Sequence, residues 1–295
     1  MKKALIVLAS LSLVAATAFA GNPHHSGDLN PQGGNSDKAV EYTEVEGDLK
    51  VSHNATPGGS GNLVNHGGGV MSYSKIVCIF WGPSLSSTST YAKEMQSFRT
   101  SVYGMVKHTG MLNQYGVYQN NFKGSQPDIF DTTNPSSAAV TDAMVQGEVA
   151  KWFGGGKNGG YDPNTIYEVF IPSGYYSKDG TSTSCGGPNL AYCAYHSSGD
   201  GSHLPTNIKY SIEPYPSCSG CAATGFTTSQ NAEHFMVHET REAVTDPYGS
   251  TWYDAAGYEA DDKCAWQGLF TEAAADGHTY GYQPEYSNSS RTCVR

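Results

Sequence analysis

Two continuous apolar runs constrain this chain more than any other feature. Ile76-Val-Cys-Ile-Phe80 lies inside a stretch from Val70 to Trp81, and Ile166-Tyr-Glu-Val-Phe-Ile171 lies inside Thr165 to Pro172. Neither run alternates strictly between apolar and polar residues, as a strand with one wet face would, so each reads as a strand covered on both sides. Such strands need helices to cover them, and the intervening sequence has the spacing for two. Met95, Phe98, Val102 and Val106 recur at helical intervals within Tyr91 to Lys107, and Ser137 to Phe153 fits a second helix ended by Gly154-Gly155-Gly156. Shorter strands are expected at Leu190 to Tyr195 and Ile208 to Glu213. A third helix starts with Thr228 or Ser229 as its N-cap and stops at Asp246, because Pro247 cannot continue it. A loop-rich tail follows. This order predicts an α/β or α+β fold, a single domain with a mixed sheet and packed helices.

The N-terminal residues read as an address. Lys2 and Lys3 precede an apolar run from Ala4 to Ala16, and Ala18-Phe19-Ala20 offers small residues for cleavage, so residues 1–20 are expected to be a signal peptide. The run is too short to span about 30 Å of hydrocarbon, and no membrane insertion of the mature form is expected. The location implied is secreted or periplasmic. Residues 21–65 are rich in Gly, Asn and Ser and poor in apolar side chains, which predicts a flexible segment ahead of a folded domain at 66–295.

Without residues 1–20 the chain carries 15 basic against 27 acidic residues, a balance that argues against nucleic acid as a partner. All seven cysteines follow residue 20. In an oxidising compartment six of them are expected to pair, with Cys78 a buried free thiol inside its apolar run. Local spacing suggests Cys185–Cys193, Cys218–Cys221 and Cys264–Cys293 among fifteen possible connectivities. A zinc or redox role for Cys218-Ser-Gly-Cys221 finds no second C-x-x-C and no thioredoxin-like context, so a structural bridge is the reading adopted.

The third helix carries the chemistry. His238-Glu239-x-x-Glu242 has the layout of a metallopeptidase helix, in which residues four apart share a face and reach one ion. His238 and Glu242 are the expected ligands of Zn2+. Glu239 is the expected catalytic base, taking a proton from a water that the metal acidifies. His234 stands one turn earlier on the same stripe and is a further candidate. A catalytic zinc needs a third protein ligand, and Glu259 or Asp262, 21 and 24 residues after His238, supplies it. The competing reading is an amphipathic helix whose polar face, with Arg241 and Glu242, is simply solvated.

The ordered set of motifs resembles the EXORDIUM, or phosphate-induced protein, family of plants and its bacterial relatives. The resemblance is carried by His238-Glu239-x-x-Glu242-Ala-Val-Thr-Asp246-Pro247, Trp252-Tyr253 and Glu259-x-x-Asp262-x-Cys264. Upstream it includes Cys193-Ala-Tyr-His196, Pro216-Ser-Cys218-Ser-Gly-Cys221-Ala and the strand ending Ile79-Phe-Trp-Gly82, so it spans roughly residues 68–295. It implies an extracellular protein tied to cell walls, and it draws His196 into the candidate site as a ligand or hydrogen-bond donor. The expected activity is that of a secreted zinc-dependent hydrolase acting on a polypeptide or cell-wall substrate. The alternative is a non-catalytic extracellular protein with a structural metal or polar network.

Overall fold

The computed structural model describes residues 61–118, 122 and 126–295; the expected signal peptide and residues 21–60 lie outside the described residues. The principal sheet has five strands: β1 (Lys75–Trp81), β2 (Ile129–Asp131), β3 (Thr165–Ile171), β4 (Tyr195–Ser198) and β5 (Lys209–Pro214). Their spatial order is β2-β1-β3-β5-β4. The first four in that order are parallel, and β4 closes the edge antiparallel to β5, with His196 opposite Ser211. The sheet is therefore mixed, in an α/β molecule.

Both faces of the sheet are covered. Val77, Ile79, Tyr167, Val169, Tyr210 and Ile212 pack with Val145, Val149 and Phe153 of α2 (Asp142–Phe153). Ile76, Cys78, Phe80, Ile166 and Phe170 point the other way, into α1 (Thr90–Thr100) through Ala92, Met95 and Phe98 and into α3 (Thr228–Thr245) through Met236 and Val237. Alternate residues of one strand thus serve two cores, which is why the runs show no polar alternation. Burying each large side chain contributes about 1.5–3 kcal/mol.

Several boundaries differ from the sequence expectation. β1 starts at Lys75 rather than Val70, because its partner β3 begins at Thr165; upstream, Met71 donates its backbone N–H to Val244 instead. α1 ends at Thr100, and the expected helical residue Val102 is 59% exposed. There the chain folds back so closely that a Cβ at Gly104 would collide with the Phe98 carbonyl oxygen. Ala139–Thr141 is a short strand beside Tyr176–Asp179, and Thr141 then caps α2 through Met144 N. The strand expected at Leu190 to Tyr195 lies later, at Tyr195–Ser198. α3 is capped one residue earlier than expected, by Thr227, in a reciprocal capping box with Gln230. Its last turn ends at Asp246, before Pro247. Ordered packing also starts before residue 66: Leu63 is buried and Val64–Asn65 pairs with Trp252–Tyr253. The tail holds two hairpins, β6 (Phe270–Ala273) with β7 (Thr279–Tyr282), and β8 (Glu285–Ser287) with β9 (Thr292–Val294). Among the described residues no helix is long and apolar enough to cross a membrane.

Three disulfides form, and Cys78 is the buried free thiol. Cys264–Cys293 is as expected, but the other two are Cys185–Cys218 and Cys193–Cys221, not Cys185–Cys193 and Cys218–Cys221. Local spacing misleads here because loop-closure entropy grows only logarithmically with length. Closing a loop of about 30 residues instead of about 8 costs only about 1 kcal/mol more. The segments 185–193 and 218–221 lie side by side, and proximity across the fold decides the pairing.

Candidate metal centre

α3 is buried on every side: each residue from Asn231 to Thr245 is inside the protein. Arg241 is 2% exposed, and His238, Glu239 and Glu242 are fully buried. This excludes a solvated polar face. A helix of this kind must satisfy its charges internally.

Three pieces of chain do so. The loop after α3 is tied down by Asp254, which bonds Lys263 Nζ at 2.6 Å and accepts from Ala256 N at 2.8 Å. The Cys264–Cys293 bridge fixes the loop's far end to β9. This brings Glu259, Asp261 and Asp262 to the helix. β4 brings His196 from the other side, the stretch between β7 and β8 brings Gln283, and β8 opens with Glu285.

The side chains form two overlapping groups. In the first, His238 Nε2 lies 3.2 Å from Glu242 Oε2 and 3.6 Å from Asp262 Oδ1. In the second, His196 Nδ1 lies 3.3 Å from Glu239 Oε2 and 3.9 Å from Glu242 Oε2. Within each group the ligand atoms all lie within 4.8 Å of one another, and Glu242 belongs to both. Glu242 Oε1 accepts the backbone N–H of Asp262 at 2.9 Å, which orients the carboxylate. His238 Nε2 and Glu242 Oε2 face each other as a buried ion pair, with Asp262 beside them. Triangles of these dimensions accommodate a cation at ligand distances of about 2.0–2.6 Å from all three corners. A third set of neighbouring ligand atoms, at Cys185, Cys218 and Cys221, is consumed by the disulfides.

Electrostatics point the same way. Six buried carboxyls crowd this region: Glu239, Glu242, Glu259, Asp261, Asp262 and Glu285. Against them stands the guanidinium of Arg241, with Nη1 at 3.3 Å from Asp261 Oδ1 and Nε at 3.6 Å from Glu285 Oε2. Burial, reinforced by repulsion from Asp262, pushes Glu242 up to about 8. Burial lifts Asp261 to about 6 although Arg241 opposes it. Glu259 and Glu285 rise well above the carboxylate range, through burial first and neighbouring carboxylates second. Burial works against a charged His238, but Glu242, Glu239 and Asp262 outweigh it and hold the imidazole well above its ordinary range. These shifts have two causes: burial, which raises the carboxyls, and more negative charge than the local cations neutralise, which also holds His238 up.

Of the residues expected from the sequence, the structure gathers His238, Glu242 and Asp262 in one group and His196 and Glu239 beside it. Glu259 faces His196 instead of His238, with Oε2 at 4.0 Å from His196 Nε2. His234 joins neither group. It sits against the rings of Phe226, Phe235 and Trp266, and burial, with His238 nearby, pushes its pKa well below the usual value. Sequence reasoning missed Asp261, Gln283 and Glu285 and placed Arg241 only in the competing reading of a solvated face; no spacing rule links residues that meet from opposite ends of the domain. Comparison with known protein families, with curated proteins and with solved structures finds no match.

Proposed function

We propose that this chain is a secreted, metal-dependent hydrolase, most simply a zinc peptidase, with a zincin-like active helix in α3. His238, Glu242 and Asp262 hold the metal. The observation that carries this reading is the convergence of ligand atoms from His238, Glu242 and Asp262 within 4.8 Å of one another, inside a region of excess buried carboxylate. Two ligand-competent atoms turned toward one point, with Asp262 Oδ1 beside them, fit a borderline cation such as Zn2+. The bound ion supplies Lewis acidity and an acidified water.

The other roles follow from position. Glu239 lies outside the His238 group, next to it in sequence and held by His196 Nδ1 at 3.3 Å. A carboxylate placed beside a site without joining its ligands suits a general base that takes the proton of an attacking water. Three ligands plus such a base is the composition of a catalytic zinc site rather than a closed structural one. The N-terminal signal and three disulfides support an extracellular or periplasmic setting, as does the resemblance to EXORDIUM proteins. A polypeptide or cell-wall polymer is the substrate class consistent with that setting. The acidic balance disfavours nucleic acid.

A second reading, a non-catalytic protein with a structural metal, is favoured by one fact: apart from Asp262 at 8%, the side chains of the centre are at most 1% exposed. Glu239→Gln separates the two. Metal retained with loss of peptide or polysaccharide hydrolysis supports the hydrolase; metal retained with no hydrolysis by either protein supports the structural role. Absence of bound metal after dialysis against Zn2+ sinks both.

A further inference from the structure

We infer that the centre takes a second divalent cation, held by His196, Glu239 and Glu242, with Glu242 shared between the two ions. This rests on the reading that His238, Glu242 and Asp262 hold the first.

Three observations lead there. The first is geometric: His196 Nδ1, Glu239 Oε2 and Glu242 Oε2 make a triangle as compact as the first group, reached from β4 rather than from the loop after α3. The second is charge. Six buried carboxylates against one guanidinium leave five negative charges when all are ionised; one dication leaves three, and two leave one. Buried charge that is neither paired nor ligating is prohibitively costly, so the chain either holds protons on several carboxyls or holds metal. The third is Glu259. It is 1% exposed, neither of its oxygens accepts a hydrogen bond, and Oε2 lies 4.0 Å from His196 Nε2, the ring nitrogen opposite the proposed ligand atom Nδ1. A carboxylate on that edge favours the proton on Nε2 and leaves the Nδ1 lone pair for the ion, the arrangement common behind metal-ligating histidines.

The donor set, one imidazole and several carboxylates per ion, suits Zn2+ or Mn2+. Ions sharing a Glu242 oxygen stand about 3.5–4 Å apart, the spacing of hydrolytic two-metal sites. With both ions bound Glu239 is a ligand, and with the first alone it is the base described above.

The test uses the disulfide-intact protein, stripped with a chelator and dialysed against Zn2+, with bound metal counted by elemental analysis. Two equivalents are expected for the wild type, one for His196→Ala, one for Asp262→Asn, and less than one for Glu242→Gln. One equivalent in the wild type, unchanged by His196→Ala, overturns the second site while leaving the first. No bound metal overturns the first reading as well. A measurement free of substitution reads the same point: with Mn2+, an exchange-coupled pair signal by electron paramagnetic resonance is expected, and an isolated-ion spectrum at saturation overturns the proposal.

Discussion

Gln283 governs how His238 is presented. Its Nε2 donates to the Asp261 carbonyl at 2.8 Å and lies 3.2 Å from His238 Nδ1, with Oε1 3.5 Å from the same ring nitrogen. The Gln283 amide thus packs against Nδ1 and leaves Nε2 as the ring nitrogen facing Glu242 and Asp262. Gln283→Leu should weaken metal binding about 10–100-fold, read by competition with a chromophoric chelator; unchanged affinity would remove Gln283 from the centre. Arg241 works on the opposite charge. Arg241→Met strands Asp261 and Glu285, and urea unfolding should show a loss of about 3–5 kcal/mol in metal-free protein. Neither residue stands out in the sequence. His238, Glu239 and Glu242 do, because helical periodicity alone puts an imidazole and a carboxylate on one face. Gln283 is 45 positions from its partner, and only the packing of the tail against α3 brings them together.

Elements show the same divide between local and distant causes. α3 was legible at its C-terminal end and to within a residue or two at its N-terminal end, since capping and proline act locally. β1 and β3 were legible because burial on both faces leaves an unbroken apolar run. The starts of β1 and β4 were not, because a strand begins where its neighbour offers hydrogen bonds, and that depends on register. Buried Glu233, on the first half of α3, ties the helix to β7 by accepting from Gly281 N at 2.7 Å. Burial raises its carboxyl to about 8, with Glu94 adding to the rise and the Gly281 N–H opposing it. The folded chain therefore binds this proton at pH values where the unfolded chain has released it, so stability falls as pH rises from about 4.5 through 8. Glu233→Gln should flatten that dependence, gaining in melting temperature relative to wild type between pH 5 and 8; parallel pH profiles would refute it.

For the whole molecule, the sequence announced an α/β or α+β domain with a mixed sheet and three bridges, but not which cysteines meet. Peptide mapping without reduction should recover Cys185–Cys218, Cys193–Cys221 and Cys264–Cys293; a Cys218–Cys221 peptide would contradict the arrangement. Two bridges join the same pair of segments, and one of them ends at Cys193, three residues before His196. Breaking both should cost about 2–5 kcal/mol each and loosen β4 first. The complete enclosure of α3 has a kinetic consequence. A helix with no solvent-facing side offers no local route for its amides to open, so deuterium should reach residues 231–245 only as fast as the entire domain comes apart. An ion lodged against that helix has a different route: it enters and leaves past Asp262, the one ligand that reaches solvent, so it should exchange far faster than the amides behind it.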